Sequence, residues 1–108
     1  NVHKELGPGL LESAYETCLC YELSKIEINY EKQKGLPIIY KDVTLDCGYR
    51  IDILVENKIV IELKTVEKLL PIHTAQIMTY LKLSNKHLGL LFNFYNANLQ
   101  NGIKRYVL

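Results

Sequence analysis

The sequence lacks the cysteine patterns of disulfide-stabilised, zinc-binding and iron–sulfur proteins. Its 108 residues include three cysteines, and no two have the Cys-X-X-Cys spacing. An odd count argues against a disulfide framework, the missing Cys-X-X-Cys pair argues against a zinc knuckle, and an iron–sulfur cluster would need a fourth thiolate. We therefore expect Cys18, Cys20 and Cys47 to be reduced and mostly buried, as in a cytoplasmic protein.

The chain is also poor in net charge and in long apolar segments. Its formal net charge is +1, which excludes the global attraction that draws strongly basic proteins to nucleic acid. No apolar run is long enough to span a membrane, so we expect a soluble chain with no membrane partner. Residues 1–108 contain no repeat, linker or low-complexity segment, and they correspond to a single domain with a modest core.

The chain begins at Asn1 without a methionine, and residues 1–5 already follow a helical pattern. We therefore expect the N-terminus to be truncated. No signal peptide is recognisable, although a truncated start weakens that observation.

Three charged residues interrupt two apolar segments in the middle of the chain. Residues 49–55 and 59–66 are rich in β-branched and aliphatic side chains, and the polar residues 56–58 separate them. This pattern predicts two antiparallel strands joined by a short loop. Because a buried charge must be desolvated, charges inside such strands indicate a site. The three residues are Asp52, Glu62 and Lys64.

The register of this hairpin decides whether the three charges meet. Side chains alternate along a strand, so Glu62 and Lys64 share one face. If Asp52 pairs with Glu62, residues 56–58 form a three-residue loop in which Asn57 tolerates a left-handed backbone. A two-residue loop would turn Asp52 to the opposite face unless a bulge restored the register. We therefore predict that Asp52 lies opposite Glu62.

The charges have two interpretations. Paired carboxylates suit Mg²⁺ or Mn²⁺ and the phosphate oxygens of a substrate, while a lysine beside them can orient or help deprotonate an attacking water, or neutralise charge on phosphorus. Together these groups would hydrolyse phosphodiesters. The alternative is a solvated hairpin face with ordinary cross-strand salt bridges. The loose spacing Asp-X9-Glu-X-Lys does not decide between them.

A first helix is predicted over residues 7–26, with Pro8 and Gly9 at its start. Gly9, Glu12 and Tyr15 form one stripe of this helix. Glu12 could reach a metal above the sheet, or it could simply interact with the positive end of the helix dipole. The apolar stripe expected to face the core consists of Leu19, Leu23 and Ile26.

A second helix is predicted over residues 71–84, with the apolar positions Ile72, Ala75, Ile77 or Met78, and Leu81 recurring at its period. Gln76 and Tyr80 are four residues apart and therefore project from one face. They could bridge a phosphate, a water or the lysine. Alternatively, Tyr80 packs at the boundary of an ordinary amphipathic helix.

The remaining segments predict further strands. Residues 28–40 form an extended segment interrupted near 35–37, residues 43–45 resume it, and residues 102–108 add a short edge strand. The apolar residues 88–94 should pair in parallel with 59–66 through the helical crossover, with Asn93 facing the site. A basic rim for phosphates, or equally a solvated helical face, would come from Lys64, Lys68, His73, Lys82, Lys86 and His87. Of the histidines, His73 is the one expected to line the site.

Several motifs across nearly the whole chain resemble those of the GxxExxY proteins. They are Gly9-X-X-Glu12-X-X-Tyr15, residues 4–12, residues 46–52, and Glu62-Leu63-Lys64 followed by residues 67–73. That family is similar to a branch of the PD-(D/E)XK nuclease superfamily. The resemblance implies an α/β fold with a restriction-endonuclease-like core, in which helices flank a central mixed β-sheet.

The resemblance also implies roles for individual residues. The implied catalytic residues are Asp52, Glu62, Lys64, Gln76 and Tyr80, and the implied metal ligands are Glu12, Asp52, Glu62 and the carbonyl of Leu63. Gln76-X-X-X-Tyr80 corresponds to an accessory motif of RecB-like nucleases. Ile51 stands where the superfamily motif has proline.

These observations predict a nuclease that uses Mg²⁺ or Mn²⁺ to hydrolyse phosphodiester bonds of DNA or RNA. Some superfamily members keep the fold without activity, so the alternative is an inactive module that binds nucleic acid or a partner protein. A third hypothesis is a homo-oligomer joined through the edge strand at residues 102–108.

Overall fold

Five strands form a mixed sheet with one helix packed on each face. The computed structural model describes residues 11–46, 48–95 and 102–108. The helices are α1 (Glu12–Lys25) and α2 (Pro71–Ser84). The strands are β1 (Tyr30–Gly35), β2 (Ile38–Tyr40), β3 (Val43–Leu45), β4 (Arg50–Val55), β5 (Ile59–Lys64), β6 (Leu88–Asn93) and β7 (Ile103–Val107). The predictions for residues 1–10, including Pro8 and Gly9, and for Cys47 lie outside the described residues.

The sheet has the strand order β1-β4-β5-β6-β7. Every neighbouring pair is antiparallel except β5 and β6, which are parallel and joined by α2. This arrangement confirms the predicted parallel crossover and the predicted edge strand near the C-terminus. The fold is therefore α/β, with helices flanking a central mixed sheet as the resemblance implied.

Strands β2 and β3 form a separate two-stranded hairpin rather than joining the sheet. The predicted interruption near residues 35–37 is confirmed, because β1 ends at Gly35 and Leu36 is buried after it. The outer residues of the hairpin, including Ile39, Tyr40 and Val43, are exposed.

The predicted buried face of α2 is confirmed at Ile77 and Leu81 but wrong at Ile72 and Ala75, which are exposed. Ile77, Tyr80 and Leu81 pack against the sheet, whereas Ile72 is 65% exposed. The physical reason lies on the facing strand, where Gly89 lets the helix approach closely. A β-carbon built on Gly89 would lie 3.0 Å from the Ile77 side chain and 3.3 Å from Leu81.

Helix α1 covers the other face of the sheet. Tyr15 and Cys20 are buried there, and Leu19 and Leu23 pack against the same cluster. The prediction for Ile26 is wrong, because the helix ends at Lys25 and Ile26 follows it as an exposed cap residue. Within the described residues, neither helix is long and apolar enough to cross a membrane.

The tight contact at Gly89 predicts a specific sensitivity. Gly89→Val should lower the free energy of unfolding by about 1–3 kcal/mol, because the added carbons overlap Ile77 and Leu81 in a packed core. Urea denaturation measures this change. Gly35→Val is the matched control, since a β-carbon on Gly35 meets only Arg50, at 3.7 Å. Equal losses in the two variants would contradict this account of the helix–sheet contact.

Candidate active site

The hairpin of β4 and β5 has the predicted register. Ile53 pairs with Ile61, and Val55 pairs with Ile59, so Asp52 lies opposite Glu62. The residues between the strands form the predicted three-residue turn. Glu56 and Asn57 in this turn have φ angles of 53° and 55°, the left-handed conformation that such a loop requires. The register prediction is confirmed.

Beyond Ile53, the two strands exchange side-chain hydrogen bonds instead of continuing the main-chain ladder. The main-chain N–H of Leu63 donates to Oδ2 of Asp52 at 2.8 Å. The main-chain N–H of Asp52 donates to Oε1 of Glu62 at 3.3 Å. Each carboxylate thus accepts a main-chain donor from the opposite strand, and this fixes both side chains in place.

The same exchange puts the partly buried carboxyl group of Asp52 next to the buried one of Glu62. Glu62 is only 3% exposed. The pKa of Glu62 is raised to about 8, first by burial and then by the negative charge of Asp52, although the N–H of Asp52 and the charge of Lys64 oppose these effects. A hydrogen bond between the two carboxyl groups adds to the increase. Near neutral pH the pair therefore retains a proton.

The raised pKa of Glu62 indicates that positive charge beside this carboxyl pair would be stabilised. Two carboxylates of like charge, desolvated side by side, gain most from a cation between them. Carboxylate oxygens are the ligands that Mg²⁺ and Mn²⁺ prefer. The donor set of Asp52 and Glu62 therefore fits the divalent metal ion that the sequence predicted.

Lys64 belongs to the same face as Glu62. Leu63 packs in the cluster under α1 and Val60 in the cluster under α2, so alternation turns Glu62 and Lys64 toward α2. Lys64 is half-buried. Its positive charge lowers the pKa of both Glu62 and Glu12. The structure therefore brings Asp52, Glu62 and Lys64 together.

Glu12 approaches this site from the other helix. It is the first residue of α1, and its carboxylate accepts a hydrogen bond from the main-chain N–H of Thr65. Partial burial raises the pKa of Glu12, the charge of Lys64 lowers it, and the charge of Asp52 raises it. Across residues 11–46, 48–95 and 102–108, no three His, Cys, Asp or Glu side chains form one ligand group for a metal. The structure thus pairs Asp52 with Glu62 and places Glu12 beside them.

Gln76 and Tyr80 project from one face of α2 as predicted, and Tyr80 also lies near the carboxylates. The Gln76 amide donates to Oη of Tyr80 at 3.0 Å. Burial raises the pKa of Tyr80, the hydrogen bond from Gln76 lowers it, and the charges of Glu62 and Asp52 raise it. Tyr80 is therefore close enough for the charges of both acids to affect its hydroxyl group. It is also a core residue that is 6% exposed.

Gln33 on β1 contacts Asp52, and the sequence did not predict this neighbour. Its amide donates to Oε2 of Glu16 at 2.6 Å and to Oδ1 of Asp52 at 3.5 Å. Its φ angle of 53° is left-handed, which is uncommon for a residue other than glycine and clusters at functional sites. The pairing of β1 with β4 puts Gln33 opposite Asp52. That signal requires the sheet order, which the local sequence does not contain.

Asn93 and His73 have structural contacts where the sequence suggested site-lining roles. The Asn93 amide donates to the Val66 carbonyl at 2.8 Å and accepts from the N–H groups of Val66 and Tyr95. It therefore fixes the chain just after Lys64. Nδ1 of His73 accepts a hydrogen bond from the N–H of Leu70 and so stabilises the start of α2. A positive charge on His73 also lowers the pKa of Glu12, so His73 lies near the acids as the sequence predicted.

The predicted basic rim is wrong at two positions. Lys86 and His87 directly precede β6, whose first residue pairs with Ile59 at the start of β5. They therefore lie at the end of the sheet opposite Lys64. The reason is the direction of α2, which carries the chain back along the sheet between the two parallel strands. Lys82 is in the last turn of this helix.

Comparison with known proteins identifies the family. A family model described as the PD-(D/E)XK nuclease superfamily matches residues 1–106. The chain belongs to the PD-(D/E)XK nuclease superfamily. A search of curated proteins and a search of solved structures each found no match.

Membership in the PD-(D/E)XK superfamily agrees with the fold and indicates a nuclease-type function. The mixed five-stranded sheet with two helices is consistent with the restriction-endonuclease-like fold of these proteins. PD-(D/E)XK nucleases typically use divalent metal ions and act on nucleic acid. The finer resemblance to the GxxExxY proteins stays a prediction.

The raised pKa of Glu62 predicts how stability depends on pH without divalent metal. The folded state holds a proton on Glu62 up to about pH 8, whereas the unfolded chain loses it near the ordinary glutamate value. Stability should therefore fall as pH rises through this window, by at most about 1.4 kcal/mol per pH unit. Urea denaturation in chelator between pH 5 and 9 measures the slope.

Glu62→Gln should remove this component of the slope. Glu56→Gln, in the exposed turn of the same hairpin, is the control that should retain it. If Glu62→Gln and wild type lose stability in parallel as pH rises, the pKa of Glu62 is not raised in the folded protein.

Proposed function

We propose that this chain is a metal-dependent nuclease that hydrolyses phosphodiester bonds of DNA or RNA through Asp52, Glu62 and Lys64. The observation that carries this proposal is the buried carboxyl pair. Asp52 and Glu62 are held by each other's strands at 2.8 and 3.3 Å, and Lys64 lies on their face. A solvated hairpin with ordinary salt bridges would not bury Glu62 against a second acid.

Asp52 and Glu62 would hold Mg²⁺ or Mn²⁺ through their carboxylate oxygens. The resemblance implies two further ligands. They are the main-chain carbonyl of Leu63, between Glu62 and Lys64, and the carboxylate of Glu12 at the start of α1. A bound divalent ion supplies positive charge that polarises a phosphate oxygen and makes water more acidic.

Lys64 would act on the attacking water or on the phosphate. An ammonium group donates hydrogen bonds and accepts none, so it can hold a water oxygen or neutralise charge that develops on phosphate oxygens. As a neutral amine it could instead take a proton from the water. Either role needs a half-buried lysine beside the acids, and Lys64 occupies that position.

Gln76 and Tyr80 would organise the α2 side of the site. Oη of Tyr80 accepts a hydrogen bond from the Gln76 amide. The phenolic O–H is therefore left to donate a hydrogen bond to a carboxylate or a phosphate oxygen. Gln33 would restrain Asp52 from β1 in the same way, since it donates to Oδ1. The Gln33 contact would position an acid, whereas the α2 pair would orient a carboxylate or a phosphate oxygen.

Loss of Lys64 is the decisive test of the enzyme assignment. Lys64→Ala should lower the cleavage rate at least about a hundredfold, because general-base or charge-stabilising groups typically contribute this much. The measurement is cleavage of labelled single- and double-stranded DNA and RNA with Mg²⁺ or Mn²⁺. Lys58→Ala, the same substitution in the exposed turn of this hairpin, should cleave like wild type.

Two outcomes would overturn the nuclease proposal. One is wild-type protein that cleaves none of the four substrates with either metal, and the other is Lys64→Ala with undiminished activity. Binding of nucleic acid without any cleavage would favour the inactive module.

Metal binding is tested without an activity measurement. Mn²⁺ should raise the melting temperature of wild type, since a ligand present at a hundred times its Kd stabilises by about 2.7 kcal/mol. Asp52→Asn should lose this increase, because it removes charge from the carboxyl pair with little change in size. Asp46→Asn, near the start of β4 and exposed, is the matched control. A wild-type melting temperature that Mn²⁺ and Mg²⁺ leave unchanged would contradict the metal site.

A further inference from the structure

A cavity of about 210 Å³ opens beside the proposed active site. Helix α2 forms most of its wall. Ile38 at the start of β2 and Tyr49 just before β4 complete the wall. Its lining includes Tyr49, Ile72, Ala75, Gln76, Tyr80 and Leu83. Its surface is mostly apolar, with the Gln76 amide and the Tyr80 hydroxyl as polar groups.

The cavity adjoins the acidic site through Tyr80, which is hydrogen-bonded to Gln76. Both residues line the cavity, and the charges of Glu62 and Asp52 act on the Tyr80 hydroxyl. A ligand in the cavity would therefore lie next to a group bound at the carboxylates. In a nucleic acid, the group that lies next to a phosphodiester is the base of the adjoining nucleotide.

We propose that this cavity receives one unpaired nucleobase of the substrate strand, so that the protein engages single-stranded or locally unpaired nucleic acid. This inference rests on the proposed function, since it takes the carboxylates as the phosphate-binding point. The cavity is smaller than the roughly 300 Å³ or more of sites for drug-sized ligands. Its size therefore suits one planar ring system rather than a larger group.

The walls provide the two interactions that hold an unstacked base. Tyr49 is 44% exposed and meets Tyr80 edge to face, with ring centroids 6.3 Å apart. Its accessible ring can therefore stack on a base, while Ile72 and Leu83 supply apolar contact. Gln76 carries a second amide N–H and a carbonyl oxygen, which match the donor and acceptor edge of a base.

The experiment measures binding of single strands to the Lys64→Ala variant in the presence of Mg²⁺. Because this variant should not cleave the strand, the contributions of the bases and of the backbone to affinity can be compared. The probes are fluorescein-labelled single-stranded DNA and RNA 12-mers and an abasic DNA 12-mer, all followed by fluorescence anisotropy. Tyr49→Ala removes the stacking surface, and Ala75→Leu fills the cavity from an exposed helix position. Tyr21→Ala, an exposed tyrosine on α1, is the matched control. Urea midpoints establish that each variant is folded.

We expect Tyr49→Ala and Ala75→Leu to weaken binding of a base-containing strand by about tenfold to a hundredfold, the loss of one base–aromatic stack. Binding of the abasic strand should change by no more than about twofold, and Tyr21→Ala should leave all strands unaffected. The inference is overturned if the cavity variants bind like the Lys64→Ala variant, or if they weaken the abasic strand equally. It is also overturned if they convert a dimer to a monomer in ultracentrifugation, because the cavity would then be an interface between copies.

These results are independent of the outcome for catalysis. If wild-type protein cleaves nucleic acid but the cavity variants bind normally, only the base cavity fails. If wild type cleaves nothing but binding still depends on bases and on Tyr49, the nuclease proposal fails and the base cavity stands.

Discussion

The site depends on one exchange of hydrogen bonds, in which the carboxylates of Asp52 and Glu62 replace the main-chain ladder between β4 and β5. Each acid accepts an N–H group of the opposite strand, so neither side chain can rotate away without leaving a strand donor unpaired. The acids are thus positioned by the sheet itself. This explains how Glu62 can be buried while the site stays open enough for Asp52 and Lys64 to be partly accessible.

The rest of the fold holds the ends of β5 and β6 in place around that exchange. Asn93, in register with Lys64, ties the chain after β5 to the end of β6. Phe94 follows directly and stacks on Tyr15 of α1, with ring centroids 4.1 Å apart and planes 7° apart. Because Tyr15 lies one turn after Glu12, this stack also sets how far Glu12 reaches. A core contact therefore controls the position of an acid at the rim of the site.

The sequence predicted those features that depend on neighbours along the chain. Alternation and a polar three-residue turn were enough for the Asp52–Glu62 register, and periodicity with a leading proline was enough for the bounds of α2. Features that depend on sheet order were missed. Gln33 becomes a neighbour of Asp52 only after β1 pairs with β4, and Lys86 is carried away from Lys64 only by the direction of α2. The sequence also did not predict that β2 and β3 form a separate hairpin. Their residues would be extended whether they joined the main sheet or not, so only the tertiary structure distinguishes the two cases.

The arrangement of the two helices constrains how a substrate can approach. Glu12 comes from α1 and meets the end of β5 at Thr65, whereas Tyr80, Gln76 and the cavity belong to the α2 side. Glu62 and Lys64 are turned toward α2 by alternation along β5. A phosphate between Lys64 and the acids would therefore have a protein carboxylate on the α1 side and apolar space on the α2 side. Contact with Tyr49 favours placing a base toward α2, so the direction of the strand would follow from the position of the cavity relative to the acids.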